Sequence, residues 1–189
     1  MKHRLIAVGV CMALILCMLP ATALAYTAPD STVYNDHDYN ALKTFLDATS
    51  ADGLTTNGVS ACGSDYSADP ATWDGVTWVN VAGEMCVRTV NWQDDNLNGS
   101  LDLSGCTSLE HLNVMSFFTS ATNSIDSINV SVCSALKTLY CWSNPITELD
   151  LTGLAALEVL DCAHCENLAS LTITGCSSLR VLNCDYDPV

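Results

Sequence analysis

The sequence predicts a mostly β solenoid, a horseshoe of α/β type built from short stacked coils. The coils form a parallel sheet on the concave face, and a helical cap closes the N-terminal end. Three observations predict this fold. An apolar pattern recurs with a period in the low twenties through residues 87–189, a second pattern lies between its copies, and residues 26–86 combine a helical pattern with an aromatic cluster. The chain of 189 residues is long enough for a short array of such coils.

The repeat consists of five segments that share the pattern L-x-x-L-x-L-x-x-N/C-x-L. They begin at Val87, Leu109, Leu136, Leu157 and Leu179, which lie 22, 27, 21 and 22 residues apart. This period and pattern are typical of the leucine-rich repeat, whose coils bury their apolar residues only by stacking. The longer second interval predicts a bulging loop at residues 117–124, and Phe117 falls where the pattern has asparagine.

Extended return segments are predicted between these copies, on the convex side. LDLSGC, INVSVC, LDLTGL and LTITGC begin at Leu101, Ile128, Leu149 and Leu171, and each alternates apolar residues before a turn-forming pair, without room for a long helix. Val189 is the eleventh residue of the fifth copy. We therefore expect about five coils in residues 87–189, the last one incomplete, as in a fragment of a longer protein or a truncated reading frame.

Residues 26–86 are predicted to form an N-terminal cap region. DHDYNALKTFLD places apolar residues on one helical face, with Asp36 or Asp38 as N-cap, so Asp36-His37-Asp38 is interpreted as a helix start rather than a metal site. TWDGVTW supplies aromatic residues before the first coil. Cys62 and Cys86 are the candidate disulfide pair of this region.

Residues 1–25 have the layout of a secretory signal peptide, with a basic start, an apolar run and Ala23-Leu24-Ala25 as the cleavage site. The apolar run is shorter than the roughly 20 residues of a membrane-spanning helix, although a retained N-terminal anchor stays an alternative. The prediction is a secreted or cell-surface protein that does not insert into a membrane after cleavage.

Charge excludes two classes of partner. Residues 26–189 contain four Lys or Arg against 21 Asp or Glu, a net charge of −17, which repels nucleic acid and anionic membranes.

Nine of the 11 cysteines lie in residues 26–189, and an odd number of cysteines cannot all form disulfides within one chain.

These segments resemble the secreted leucine-rich repeat surface proteins of bacteria, broadly the internalin-like group. The resemblance is carried by LDLSGCTSLEHLNV (101–114), LYCWSNPITELDLTG (139–153) and LTITGCSSLRVLNC (171–184). DYNALKTFL and TWDGVTW before NLNGSLDLSG are similar to the N-terminal cap of extracellular plant-type repeats. The resemblance implies an exported recognition or adhesion protein without catalytic residues, and such scaffolds bind many unrelated partners.

CAHCEN, residues 162–167, supports a different hypothesis, a cysteine-based redox or metal-binding protein that uses Cys162 and Cys165. In the repeat register Cys162 occupies a core position and Cys165 the turn position that holds a short polar residue in other copies, Asp95, Asn144 and Asp187. A reactive thiol needs an exposed, electropositive setting, and a zinc site needs two further ligands, so the register favours structural roles. His164 falls at the margin of the concave face.

The third, fifth and seventh residues of each copy should project from the concave sheet, because side chains alternate along a strand. Tyr140 and Trp142 then form an exposed aromatic pair typical of an interface anchor. The candidate partner-binding residues are His111, Asn113, Met115, Tyr140, Trp142, Asp161 and His164. We predict a protein that binds a protein or glycan ligand, with no enzymatic activity, cofactor or metal, and a non-binding spacer as a further alternative.

Overall fold

The computed structural model of the protein describes residues 26–64, 66, 69–117 and 122–189. The predicted signal peptide, residues 1–25, lies outside the described residues. The described chain contains helices α1 (Asp36–Leu46) and α2 (Asn57–Cys62), a 3₁₀ helix (Pro70–Thr72), and strands β1 (Val76–Val81), β2 (Glu84–Asn91), β3 (Asn98–Asp102), β4 (His111–Asn113), β5 (Ser124–Asn129), β6 (Thr138–Tyr140), β7 (Glu148–Asp150), β8 (Val159–Asp161), β9 (Ser170–Thr172) and β10 (Val181–Asn183).

The main sheet has the strand order β1-β2-β4-β6-β8-β10, with β1 antiparallel to β2 and all later pairs parallel. The return strands pair separately, β3 with β5 and β7 with β9. In the main sheet the fourth residues of the five copies pair in the predicted register: Val90, Leu112, Leu139, Leu160 and Leu182. The predicted solenoid is therefore confirmed as a mostly β fold of about four parallel-stacked turns.

The core lies between the main sheet and the return strands. Strands β4, β6 and β8 each bury only their middle residue, so the flanking side chains face the concave surface. From the opposite side, the return segments contribute fully buried leucines such as Leu101, Leu103 and Leu151. Each fully buried Leu stabilises the fold by about 1.5–3 kcal/mol relative to exposure.

Two buried asparagines, Asn123 and Asn144, connect neighbouring coils at the turn that follows the concave strand. The Asn144 amide donates to the Val114 carbonyl oxygen of the preceding coil at 2.9 Å, and its oxygen accepts from the Ile125 N–H at 3.0 Å. In the second coil this role belongs to Asn123, although the sequence pattern aligned Phe117 there. The interpretation of Phe117 as a replaced asparagine is therefore wrong, because inserted residues separate the turn from the buried amide. Residues 118–121 of the predicted loop lie outside the described residues.

Helix α1 begins differently from the prediction. Its N-cap is Asn35, whose Oδ1 accepts the Asp38 N–H at 3.2 Å, so neither Asp36 nor Asp38 caps the helix. Asp38 is instead buried, and its Oδ2 accepts the Val87 N–H at 2.9 Å. The helix packs on β2 and β3, and the Phe45 ring stacks on Trp92 with centroids 5.8 Å apart.

The candidate disulfide between Cys62 and Cys86 is not formed, and both residues are free cysteines. Cys62 lies at the end of α2 with its Sγ 3.7 Å from the Asp74 carbonyl oxygen. Cys86 lies in β2 opposite Val79, beside the charge of Asp38. The two thiols thus have different neighbours, Asp74 for Cys62 and Asp38 for Cys86, which the spacing of the cysteines in the sequence could not show.

None of the described helices has both the length and the apolar character that crossing a membrane requires.

Candidate binding surface

The concave face brings together the residues that the sequence placed there. Tyr140 in β6 lies between Asn113 in β4 and Asp161 in β8. Polar side chains also connect neighbouring strands: Asn113 Nδ2 donates to Asn91 Oδ1 at 2.9 Å, and His111 Nδ1 lies 2.9 Å from Thr138 Oγ1. All seven candidate partner-binding residues are half-buried and accessible in part: His111, Asn113, Met115, Tyr140, Trp142, Asp161 and His164.

Four aromatic side chains follow one another along the margin of this face, and we call them the aromatic row: Phe117, Trp142, His164 and Tyr186. Ring centroids lie 5.4 Å apart between Phe117 and Trp142, 5.1 Å between Trp142 and His164, and 4.4 Å between His164 and Tyr186. These distances are close to the roughly 4.8 Å spacing of neighbouring strands. The row therefore runs along the solenoid axis with one ring from each of four coils.

A left-handed turn at the end of the concave strands carries two rings of the row, His164 and Tyr186. The eighth residue of four coils adopts a left-handed conformation, with φ of 57° at Asp94, 58° at Ser143, 57° at His164 and 67° at Tyr186. Its N–H bonds to the next coil, as in His164 to the Asp185 carbonyl oxygen at 2.9 Å and Ser143 to the Ala163 carbonyl oxygen at 2.9 Å. The turns therefore hold the His164 and Tyr186 rings on successive coils, and Trp142 directly precedes the left-handed Ser143.

Phe117 and Tyr186 were not among the residues that sequence reasoning selected. Both are exposed, with 45% of Phe117 and 77% of Tyr186 accessible. Tyr186 shares the eighth position with His164, which is the signal that could have identified it. Phe117 was misaligned with the asparagines, so its place beside Trp142 could not be predicted.

The surface around the row is acidic. All four Lys and Arg of residues 26–189 are in ion pairs: Lys43 with Asp47, Arg88 and Lys137 with Glu110, and Arg180 with Glu158. The hydrogen bond from Lys137, with help from Arg88, lowers the pKa of Glu110. No Lys or Arg side chain of the described residues is therefore left to neutralise the other acidic residues of the concave face.

Acidic residues lie at both ends of the concave face, in the first coil and in the last. At the first coil, burial together with the charges of Asp74 and Asp94 raises the pKa of Asp95 to about 6. Asp94 Oδ1 accepts the Phe117 N–H at 2.6 Å, directly beneath the row. Asp161 lies in β8 beside Tyr140, and Asp185 precedes Tyr186.

The cysteines of CAHCEN lie inside the solenoid. Cys162 and Cys165 are fully buried, and Cys165 Sγ lies 3.4 Å from the Cys141 carbonyl oxygen, at the position that Asn144 fills in the preceding coil. Burial raises the pKa of the Cys162 thiol well above its usual range. A thiolate nucleophile at Cys162 is disfavoured by this setting, and only His164 of the motif reaches the aromatic row.

Fold and surface together define the chain as a solenoid of stacked β-coils that carries a row of aromatic rings on an acidic face. Comparison of the chain with protein-family models, curated proteins and solved structures finds no match.

Proposed function

We propose that the protein is a secreted or cell-surface leucine-rich repeat protein that binds a protein partner through its concave face and aromatic row, without catalysing a reaction. The leucine-rich repeat assignment is supported by the period of the coils and by the buried Asn123 and Asn144, whose amides bond the backbone of neighbouring coils. A role for α1 as the cap of the first coil is supported by its burial of Leu42, Phe45 and Leu46.

The observation that carries the proposal is the aromatic row. Rings that are partly exposed and held by a rigid backbone lose little conformational entropy on binding, and aromatic side chains are enriched among the residues that dominate interface energies. Trp142 occupies the middle of the row, with Phe117 on one side and His164 on the other. We therefore expect Trp142 and its strand neighbour Tyr140 to anchor the partner.

Charge indicates the chemistry of that partner. An acidic face without free Lys or Arg attracts a basic segment, and ring faces bind Lys and Arg side chains through cation–π contacts. A glycan is the second candidate, because flat exposed rings also stack on sugar rings. Binding of a neutral glycan would not depend on salt, whereas binding of a basic protein segment weakens as salt screens the charges.

A selection experiment tests the proposal. The purified protein is used to select ligands from a random peptide display library and from a glycan array, and the selected ligands are titrated at low and high salt. We expect peptides enriched in Lys and Arg, with binding at least tenfold weaker to the double variant Tyr140→Ala, Trp142→Ala. Leu54→Ala is the control, because Leu54 is an apolar side chain that is 82% exposed and lies outside the concave face.

Each other outcome has a defined meaning. Salt-independent binding of a glycan that is lost in the double variant would replace the basic protein by a sugar ligand at the same surface. If the selected ligands bind the folded double variant as tightly as the unchanged protein, the concave face is not the binding surface. If neither library yields a ligand, the spacer alternative is favoured.

A further inference from the structure

Three metal-binding side chains converge where α1 meets the first coil. A ring nitrogen of His37, a carboxylate oxygen of Asp38 and the Sγ of Cys106 all lie within 4.8 Å of one another. His37 and Asp38 belong to the first turn of α1, whereas Cys106 follows β3 in the return turn of the coil. We propose that these residues bind a zinc ion that fixes α1 to the solenoid, in contrast to the metal-free protein that the sequence predicts.

The donor set suits zinc. One nitrogen, one oxygen and one sulfur ligand match the ligands that Zn²⁺ takes in proteins, whereas calcium and magnesium prefer oxygen alone. Ligands about 2.0–2.3 Å from a tetrahedral zinc ion lie roughly 3.5 Å from one another. Side-chain rotations that shorten the present separations by about 1 Å would therefore complete the site.

The turn at residues 104–106 is shaped around the His37 ring. Nε2 of His37 lies 2.6 Å from the Ser104 carbonyl oxygen. This carbonyl either orients the ring by a hydrogen bond or serves as the fourth ligand of the ion. A Cβ added at Gly105 would lie 3.0 Å from the same Nε2. The next coil has Val132 in the equivalent left-handed position, so the turn itself accepts a side chain, and Gly105 serves the approach of the ring.

Burial makes the two remaining ligands costly without a cation. Cys106 is fully buried and Asp38 is 3% exposed, and this burial raises the pKa of both groups. Asp38 accepts the Val87 N–H through Oδ2, and its carboxylate also shares a hydrogen bond with the Cys106 thiol, which a zinc ion bound to both groups would replace. On binding, Zn²⁺ forms a bond to the Cys106 sulfur and the thiol proton leaves to solvent.

An entry path is present on the exposed side of the site. His37 is exposed at a groove of about 530 Å³ between α1 and β3, which Asp36, Ser104 and Asp102 also line. An ion can enter from this groove, and a water molecule can take any open coordination position. The inference does not depend on the proposed ligand of the concave face, which lies on the opposite side of the coils.

Cobalt titration of the reduced, chelator-stripped full-length protein tests the site. We expect one Co²⁺ per chain, a sulfur-to-cobalt charge-transfer band in the near ultraviolet, and loss of that band when Zn²⁺ is added. His37→Ala should bind at least tenfold more weakly, and Cys106→Ala should lose the charge-transfer band. The matched controls are His111→Ala, a histidine of the concave face, and Cys133→Ala, which removes the equivalent buried cysteine of the next coil.

Two results would overturn the inference. One is a folded unchanged protein that binds no Co²⁺ or Zn²⁺ under these conditions. The other is a charge-transfer band that persists in folded Cys106→Ala, since the sulfur ligand would then be another cysteine, or a Co²⁺ affinity that His37→Ala leaves unchanged. Because the His37 ring is exposed, His37→Ala should remain folded by circular dichroism even if Cys106→Ala does not.

Discussion

The buried asparagine amides hold consecutive coils together through hydrogen bonds to backbone groups of the turns. Asn123 Oδ1 accepts the N–H groups of Asp95 and Leu97, each at 3.0 Å, and its Nδ2 donates to the Trp92 carbonyl oxygen at 2.7 Å and to that of Val114 at 3.0 Å. A buried N–H or carbonyl that loses its partner costs about 1–3 kcal/mol. One side chain therefore satisfies the turn of its own coil and the turn of the coil before it.

Replacement of Asn123 by alanine should lower the free energy of unfolding by about 2–4 kcal/mol, because the Asp95 and Leu97 N–H groups and the Trp92 carbonyl lose their hydrogen bonds to the amide, whereas the Val114 carbonyl keeps the one from Asn144. Urea unfolding followed by circular dichroism measures the change. The control is Asn113→Ala on the half-buried concave face, for which we expect a loss of less than about 1 kcal/mol. Equal losses in the two variants would mean that the Asn123 amide is not a structural connection between coils.

Sequence reasoning located Asn144 but not Asn123, for a physical reason. An insertion moves a residue along the chain without changing where the fold needs a buried amide, so a count from Leu109 ends at Phe117 instead. Asn123-Ser124-Ile125 and Asn144-Pro145-Ile146 share the spacing from the amide to the next buried isoleucine. Counting backwards from the return strand would have found the asparagine.

At the scale of the structural elements, the turn after each return strand has the same left-handed geometry in four coils. Gly105, Gly153 and Gly175 have φ of 82°, 81° and 86°, and Val132 occupies the same place with φ of 64°. An L-residue in this conformation costs roughly 1–2 kcal/mol, and a β-branched residue is least suited to it. Since Val132 is 68% exposed, its side chain recovers little of this cost by burial.

Val132→Gly should raise the free energy of unfolding by about 0.5–1 kcal/mol, because relief of left-handed strain exceeds the entropy that glycine adds to the unfolded chain. Thermal and urea unfolding measure this difference. Val132→Ala retains a Cβ in the same conformation, so it should give a smaller gain than glycine does. A destabilised glycine variant would show instead that contacts of the Val132 side chain outweigh the strain.

The elements differ in how far the sequence determined them. The strand register was predictable, because five copies of one apolar pattern constrain each other and a shift in any copy would expose its leucines. The start of α1 was not, since Asn35, Asp36 and Asp38 are all residues that can cap a helix and only the packing of Asp38 on β2 selects Asn35. The aromatic row was predictable in part, because Trp142 and His164 followed from the register whereas Phe117 depended on the insertion.

For the whole molecule, stability comes from the contact of each coil with its neighbours. Leu139 and Leu160, at the fourth position of their coils, are fully buried because a strand lies on both sides. Leu182 at the same position of β10 is 43% exposed, since among the described residues β8 is the one strand that pairs with β10. The coil that carries Tyr186 is thus held less firmly than the coils that carry Trp142 and His164.

Alanine at two equivalent positions should therefore have unequal effects. Leu139→Ala should lower the free energy of unfolding by about 2–5 kcal/mol, the usual cost of a cavity in a closed core. Leu182→Ala removes a side chain that is already partly in water, so its cost should stay below about 1.5 kcal/mol. Urea unfolding gives both values, and hydrogen exchange should show that the Leu182 variant loses protection mainly in residues 179–184. Equal costs, with protection lost evenly along the sheet, would mean that the last coil is covered in solution as completely as the central ones.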